Sequence, residues 1–208
     1  MSLRGYIIPT MKFVLASRSP RRREYLEAIG LDFKVIEPGV DRTPDPVEDM
    51  TVVDAIRFAV DMARKKGEPY AKGHPNEMVI SADTVVFGDG HIYGKPPDLR
   101  AARKALRRLY NRTHLVITAL ALHYKGKCFT GTDTTEVTFD SLTKEEEDIF
   151  IKKAEIKDKA GSYAIQGVGA ILVRRIHGDF YNVVGIPLNL LDHLLREAGL
   201  PGLLHVIK

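Results

Sequence analysis

The chain has 208 residues, 44% of them hydrophobic and 28% charged, with a formal net charge of +4. That length supports one large or two-lobed domain with a proper core, and the mild positive charge favours anionic partners without requiring nucleic acid. A single cysteine, Cys128, excludes an intramolecular disulfide and fits a reducing cytoplasm; no stretch is long and apolar enough to span a bilayer, and residues 1–11 read as an N-terminal extension too short and mixed for a secretory signal. Cys128 opens an apparent strand after a Lys-Gly-Lys turn and reads as a small apolar residue, not a nucleophile.

Phe13–Ala16 has the composition of a buried strand, and Ser19 with Pro20 starts a helix that carries Leu26 and Ile29 on one face and closes at Gly30. Arg21, Arg22 and Arg23 sit in its first turn, where the helix dipole is already positive. Cations placed there make sense beside an anion: free backbone N–H groups, the hydroxyls of Ser17 and Ser19 and guanidinium forks are what phosphate oxygens need. The alternative is a solvated basic turn. Phe33–Ile36 is a short strand, and the proline-rich stretch from Pro38 to Pro46 is a loop whose Asp41 is a candidate metal ligand beside a phosphate site.

Thr51 and Asp54 form a capping box for a helix expected to end at Gly67 behind Arg64, Lys65 and Lys66. Met78–Phe87 is a strand, turned by Gly88-Asp89-Gly90 into a hairpin with His91–Tyr93. Asp83 falls inside this apolar run, and a buried carboxylate requires a cation, a metal or hydrogen-bond donors. Such a charge in a cleft is a usual mark of an active site. Lys95 follows at a strand exit, where its amine can reach a phosphate. Asp98 caps a helix with Leu99, Ala102, Leu106 and Leu109 inward, and its arginines read as a solvated face in preference to a nucleic-acid surface, since no aromatic residues are interleaved to stack bases. His114–Tyr124 and Cys128–Phe139 form a hairpin; Thr143 and Glu146 box the start of an acidic helix. Lys159–Ala170 is a glycine-punctuated loop that allows close backbone approach to a ligand, with Gln166 able to offer both a donor and an acceptor to a base edge. Ile171–Ile176 is expected as a strand, and VVGIP at Val183–Pro187 leads into a final amphipathic helix that closes at Gly199.

Taken in order, SRSPRR (Ser17–Arg22), ADTV (Ala82–Val85), GKP (Gly94–Pro96), DKAG (Asp158–Gly161), YAIQG (Tyr163–Gly167) and VVGIPL (Val183–Leu188) resemble the Maf family of nucleoside triphosphate pyrophosphatases. The resemblance implies an α/β fold with a long curved mixed sheet flanked by helices, two lobes and a central cleft, in one domain over residues 12–208. It implies a cytoplasmic homodimer that uses a divalent cation, magnesium or manganese, and splits nucleoside triphosphates between the α and β phosphates. The family is associated with clearing the nucleotide pool, and some members with arrest of cell division. Asp83 is then the catalytic residue and a metal ligand, and Ser17, Ser19, Arg21, Arg22 and Lys95 bind phosphate, with Lys159 and Asp41 as further candidates. Arg21, Thr84 and Gln166 match the subfamily acting on dTTP and UTP, and not the one acting on 7-methyl-GTP.

Two departures stand out. Family members carry a Lys-Ala pair near the end of the second helix; Met62-Ala63 occupies the place assigned to it, with Lys65 and Lys66 expected on a different helical face. Asp41-Arg42 stands where an Asp-Glu pair is common. The rival readings are the same fold acting on 7-methyl-GTP or a deaminated purine triphosphate, and a non-catalytic regulator that binds nucleotide or nucleic acid.

Overall fold

In the computed structural model, which describes residues 11–40, 49–154 and 159–208, the strands join into one seven-stranded mixed sheet. Strand β1 (Phe13–Ala16), buried throughout as its composition suggests, lies between two parallel neighbours, β2 (Phe33–Ile36) and the first part of β3 (Met78–Gly88). Strand β4 (His91–Tyr93) folds back on the far end of β3 through the expected glycine turn. The other edge of β3 pairs along nearly its whole length with β5 (Thr113–Tyr124), which continues antiparallel into β6 (Lys127–Phe139) and then β7 (Val173–His177).

Helices cover both faces. Helix α1 (Pro20–Ala28) and the last helix, α6 (Leu188–Glu197), close one core around Leu26, Ile80, Leu120 and Leu191. Helix α2 (Val52–Gly73) lies on the other face over Val85, Ile117 and Ala119. Helices α3 (Leu99–Leu109) and α4 (Lys144–Lys153) build the second lobe around Leu106, Phe139 and Phe150. The caps read from Thr51, Asp98 and Thr143 all form.

Two expectations are corrected. Helix α2 passes through Gly67 and ends at Gly73. Gly67 serves packing: a Cβ there would stand 2.8 Å from Ser81 Oγ and 2.9 Å from the His123 ring. Ile171 and Leu172 belong to a helical turn, Gly167–Leu172, so β7 starts only at Val173. Val183 and Val184 end a one-turn helix, α5 (Phe180–Val184), which Asp179 caps by accepting from Tyr181 N–H at 2.8 Å.

Candidate active site

One stretch of β3 lacks a strand neighbour on its β1 side. β1 pairs with Met78–Ser81 and β4 with Val86–Gly88, and no described strand covers residues 82–85 between them. These four residues are the ADTV motif. Because successive side chains of a strand point to opposite faces, Asp83 turns toward α2 and Thr84 toward α1 and α5. The open edge joins the two faces, and a cleft of about 500 Å³ straddles it.

Ser17, Ser19, Arg21, Arg22, Asp83, Thr84, Lys95, Lys159 and Gln166 all line this cleft. Asp41 lies outside the described residues. Among the described residues, six basic side chains, from Arg18, Arg21, Arg22, Lys66, Lys95 and Lys159, line the cleft with one carboxylate, Asp83. A concave, strongly positive lining of this kind draws a polyanion and focuses its field on it.

Asp83 is 8% exposed. Its described partner is Lys66, whose Nζ lies 2.5 Å from Asp83 Oδ1 and donates to the Ala82 carbonyl at 3.3 Å. This corrects the reading of α2. Four residues at about 100° each bring position 66 back to within about 40° of position 62. Lys66 therefore shares a face with Met62, and it supplies the lysine that the cleft was expected to lack. The i, i+4 spacing was the signal that could have found it.

The basic first turn of α1 divides its work. Arg22, 8% exposed, donates from Nε to Gly185 O at 2.7 Å, from Nη1 to Ala82 O at 3.0 Å and Ser17 Oγ at 3.3 Å, and from Nη2 to Thr84 Oγ1 at 2.9 Å. Four of the five N–H groups of an arginine are thereby bonded to protein, so Arg22 ties α1 to β3 and to the turn after α5. Gly185 makes this approach feasible. Its φ is +103°, and a Cβ would stand 2.9 Å from Thr84 Oγ1. Ser19 caps α1 without a side-chain bond; instead Ser17 Oγ accepts from Ser19 N–H at 3.1 Å.

Across the cleft, Gln166 Nε2 donates to Tyr25 OH at 3.0 Å, and Tyr25 packs edge-on against Tyr181 with ring centroids 5.4 Å apart. The loop that carries Gln166 is anchored by Tyr163, whose hydroxyl lies 2.7 Å from Nε2 of buried His114. Burial pushes the Tyr163 phenol up and the His114 imidazole down to about 4, so that pair is neutral. Cys128 sits elsewhere, 3.7 Å from His123 Nε2, and burial pushes its thiol up, against a nucleophilic role.

Residues 12–198 match the model of the Maf-like protein family. The chain belongs to the Maf family. Among relatives, the dTTP/UTP pyrophosphatase of Bacillus cytotoxicus is 42% identical over 186 residues, covering 89% of this chain and 95% of its own. The protein of the same name from Aquifex aeolicus is 38% identical over 190 residues, 91% of this chain and 97% of its own. The mixed sheet with flanking helices and a cleft bears out the architecture expected of a Maf protein. Among the described residues no helix is long and apolar enough to cross a membrane.

Proposed function

We propose that the protein hydrolyses dTTP and UTP to the nucleoside monophosphate and pyrophosphate. The observation that carries this reading is the Asp83–Lys66 ion pair at the open edge of β3, inside a cleft whose other charged residues, among those described, are all cations. Relatives about 40% identical over nearly their full length bear that activity in their names.

In this mechanism Arg21, Lys95 and Lys159 offset the charge of the triphosphate, and Arg22 braces the floor beneath it. Asp83 orients the attacking water and takes its proton. The water oxygen bonds to the α-phosphorus as the bond from that phosphorus to the α,β-bridging oxygen breaks, and pyrophosphate leaves. Lys66 fixes the carboxylate and places a positive charge beside the reacting phosphate. Positioning and charge stabilisation supply most of the rate, as in other phosphoryl transfers. Thr84 and Gln166 read the base.

Among the described residues no group of three or more His, Cys, Asp or Glu side chains forms a metal-binding cluster. Magnesium does not need one, since one or two carboxylates, substrate phosphates and water suffice for it. Asp83 fits that requirement; when bound, the ion would neutralise phosphate charge. The same reading takes the protein to be a cytoplasmic homodimer.

The test is a panel of dTTP, UTP, CTP, GTP, ATP, ITP and 7-methyl-GTP with magnesium, its products resolved by chromatography. Pyrophosphate with dTMP or UMP as the main products is the expected result. Release of orthophosphate, or no turnover of either pyrimidine, would overturn the proposal.

A further inference from the structure

Behind the cleft, a buried chain of hydroxyls has only one way to arrange its protons. Thr118 on β5 stands directly across the ladder from Thr84 and is fully buried. Its hydroxyl donates to the main-chain carbonyl of Asn182 at 2.8 Å. A carbonyl oxygen can only accept, so that proton is committed. Thr84 Oγ1 lies 2.9 Å from Thr118 Oγ1, and Thr84 must therefore be the donor of that bond. Thr84 also accepts from Arg22 Nη2 at 2.9 Å. A hydroxyl has one proton and two lone pairs. What Thr84 has left for the cleft is one lone pair and no proton.

The far end of the chain is equally fixed. Asn182, fully buried, accepts from Thr118 N–H at 3.1 Å and donates to Val116 O at 2.9 Å and Thr135 Oγ1 at 2.8 Å. Thr135 gives its own proton to Asp179 O at 3.0 Å. No member can reverse without stranding a buried donor or acceptor, which is costly in a dry interior.

We infer that Thr84 is an acceptor-only contact whose polarity is set by Thr118 and Asn182, and that it selects pyrimidine bases that carry a hydrogen on N3. The imide of thymine and uracil carries a hydrogen on N3. Cytosine presents a lone pair there, and two lone pairs facing each other repel. Thr118 and Asn182 are then positioning residues: they touch no substrate but determine what Thr84 can offer. This inference rests on the proposed base-reading role of Thr84.

The experiment compares dTTP, its N3-methyl derivative and dCTP on the wild-type enzyme and on Thr118→Val and Thr118→Ser. The wild type should favour dTTP over each of the others by at least about tenfold in kcat/KM, the discrimination expected of one well-placed hydrogen bond. Thr118→Val frees the Thr84 proton to turn toward the cleft. The dTTP-to-dCTP preference should then fall roughly tenfold, mainly through KM, and Thr118→Ser should restore it. Equal turnover of dTTP and its N3-methyl form by the wild type would overturn this inference while leaving the pyrophosphatase reading intact. An equal loss on dTTP and dCTP in Thr118→Val would also overturn it, since it marks Thr118 as merely structural. Failure of the wild type to hydrolyse dTTP would overturn the proposed function, and this inference with it. Should Thr118→Val not fold, the wild-type comparison of dTTP with its N3-methyl form decides alone.

Discussion

Two carboxylates are buried among the described residues, Asp83 in the cleft and Glu147 in the second lobe, 8% and 2% exposed. Both meet basic side chains, yet they are built for opposite purposes. Glu147 Oε1 accepts from Arg103 and Arg107 at 2.8 Å each, and Oε2 accepts from Arg107 Nε at 2.9 Å and Tyr110 OH at 3.3 Å. The guanidinium of Arg107 holds this carboxyl below the usual carboxylate range, against the effect of burial. The planar fork of Arg107, with single donors from Arg103 and Tyr110, gives each oxygen two partners and pins α4 to α3. Asp83 instead meets Lys66, a point charge on a flexible stem, at the wall of a cleft that favours polyanions. Burial and a cation do not by themselves distinguish the carboxylate proposed to be reactive from a rivet; the open space beside it does.

The sharpest way to break that contrast is to neutralise each carboxylate in turn. Asp83→Asn should lower turnover about 10³-fold while nucleotide affinity stays within a few-fold. Calorimetric titration beside steady-state kinetics checks this, and a parallel collapse of affinity would make Asp83 a binding group. Glu147→Gln should do the reverse, lowering stability by about 3 kcal/mol in urea unfolding while the folded enzyme keeps its activity. Lost activity at full stability would erase the distinction.

A smaller effect separates Glu147 from a buried group that has no counter-charge. The folded-state pKa of His114 is lowered to about 4 by burial. Below its ordinary value of about 6.5 the unfolded chain takes up a proton that the folded protein refuses, so stability is complete above that pH and declines as pH falls, by about 2 kcal/mol at pH 5. His123, also lowered by burial, adds a loss of the same sign. The stabilisation from Glu147, whose folded pKa is depressed, persists through this window and is lost only at lower pH. Thermal unfolding from pH 7 to 5 should therefore show a decline that His114→Gln largely removes and Glu147→Gln does not.

Local signals were legible where local physics decides. The caps at Thr51 and Asp98, the glycine hairpin after β3 and the buried strand before the arginines follow from residue types and short spacings. The motifs also led to the cleft, which gathers nine of the ten expected site residues. Long-range partners were not legible. The arginines of α3 read as a solvated face, but Arg103 and Arg107 reach Glu147 some forty residues on. The acids around Glu147 lie in the first turn of α4, where the helix dipole favours them anyway, so they gave no hint of burial. Gly67 looked like a stop because its neighbours in space, Ser81 and His123, are distant in sequence. Lys66 was within reach of helical periodicity, had its angle been followed one full turn from Met62.

The bare edge at residues 82–85 has a consequence unrelated to chemistry. Unpaired strand edges recruit strands from other molecules and start aggregates. Here the Ala82 carbonyl is already taken by Arg22 at 3.0 Å and Lys66 at 3.3 Å. Two cations stationed over an open edge repel an approaching copy that carries the same pair. The charges that line the cleft thus also oppose edge-to-edge pairing of two copies, and a substitution that discharged them should promote association along this edge.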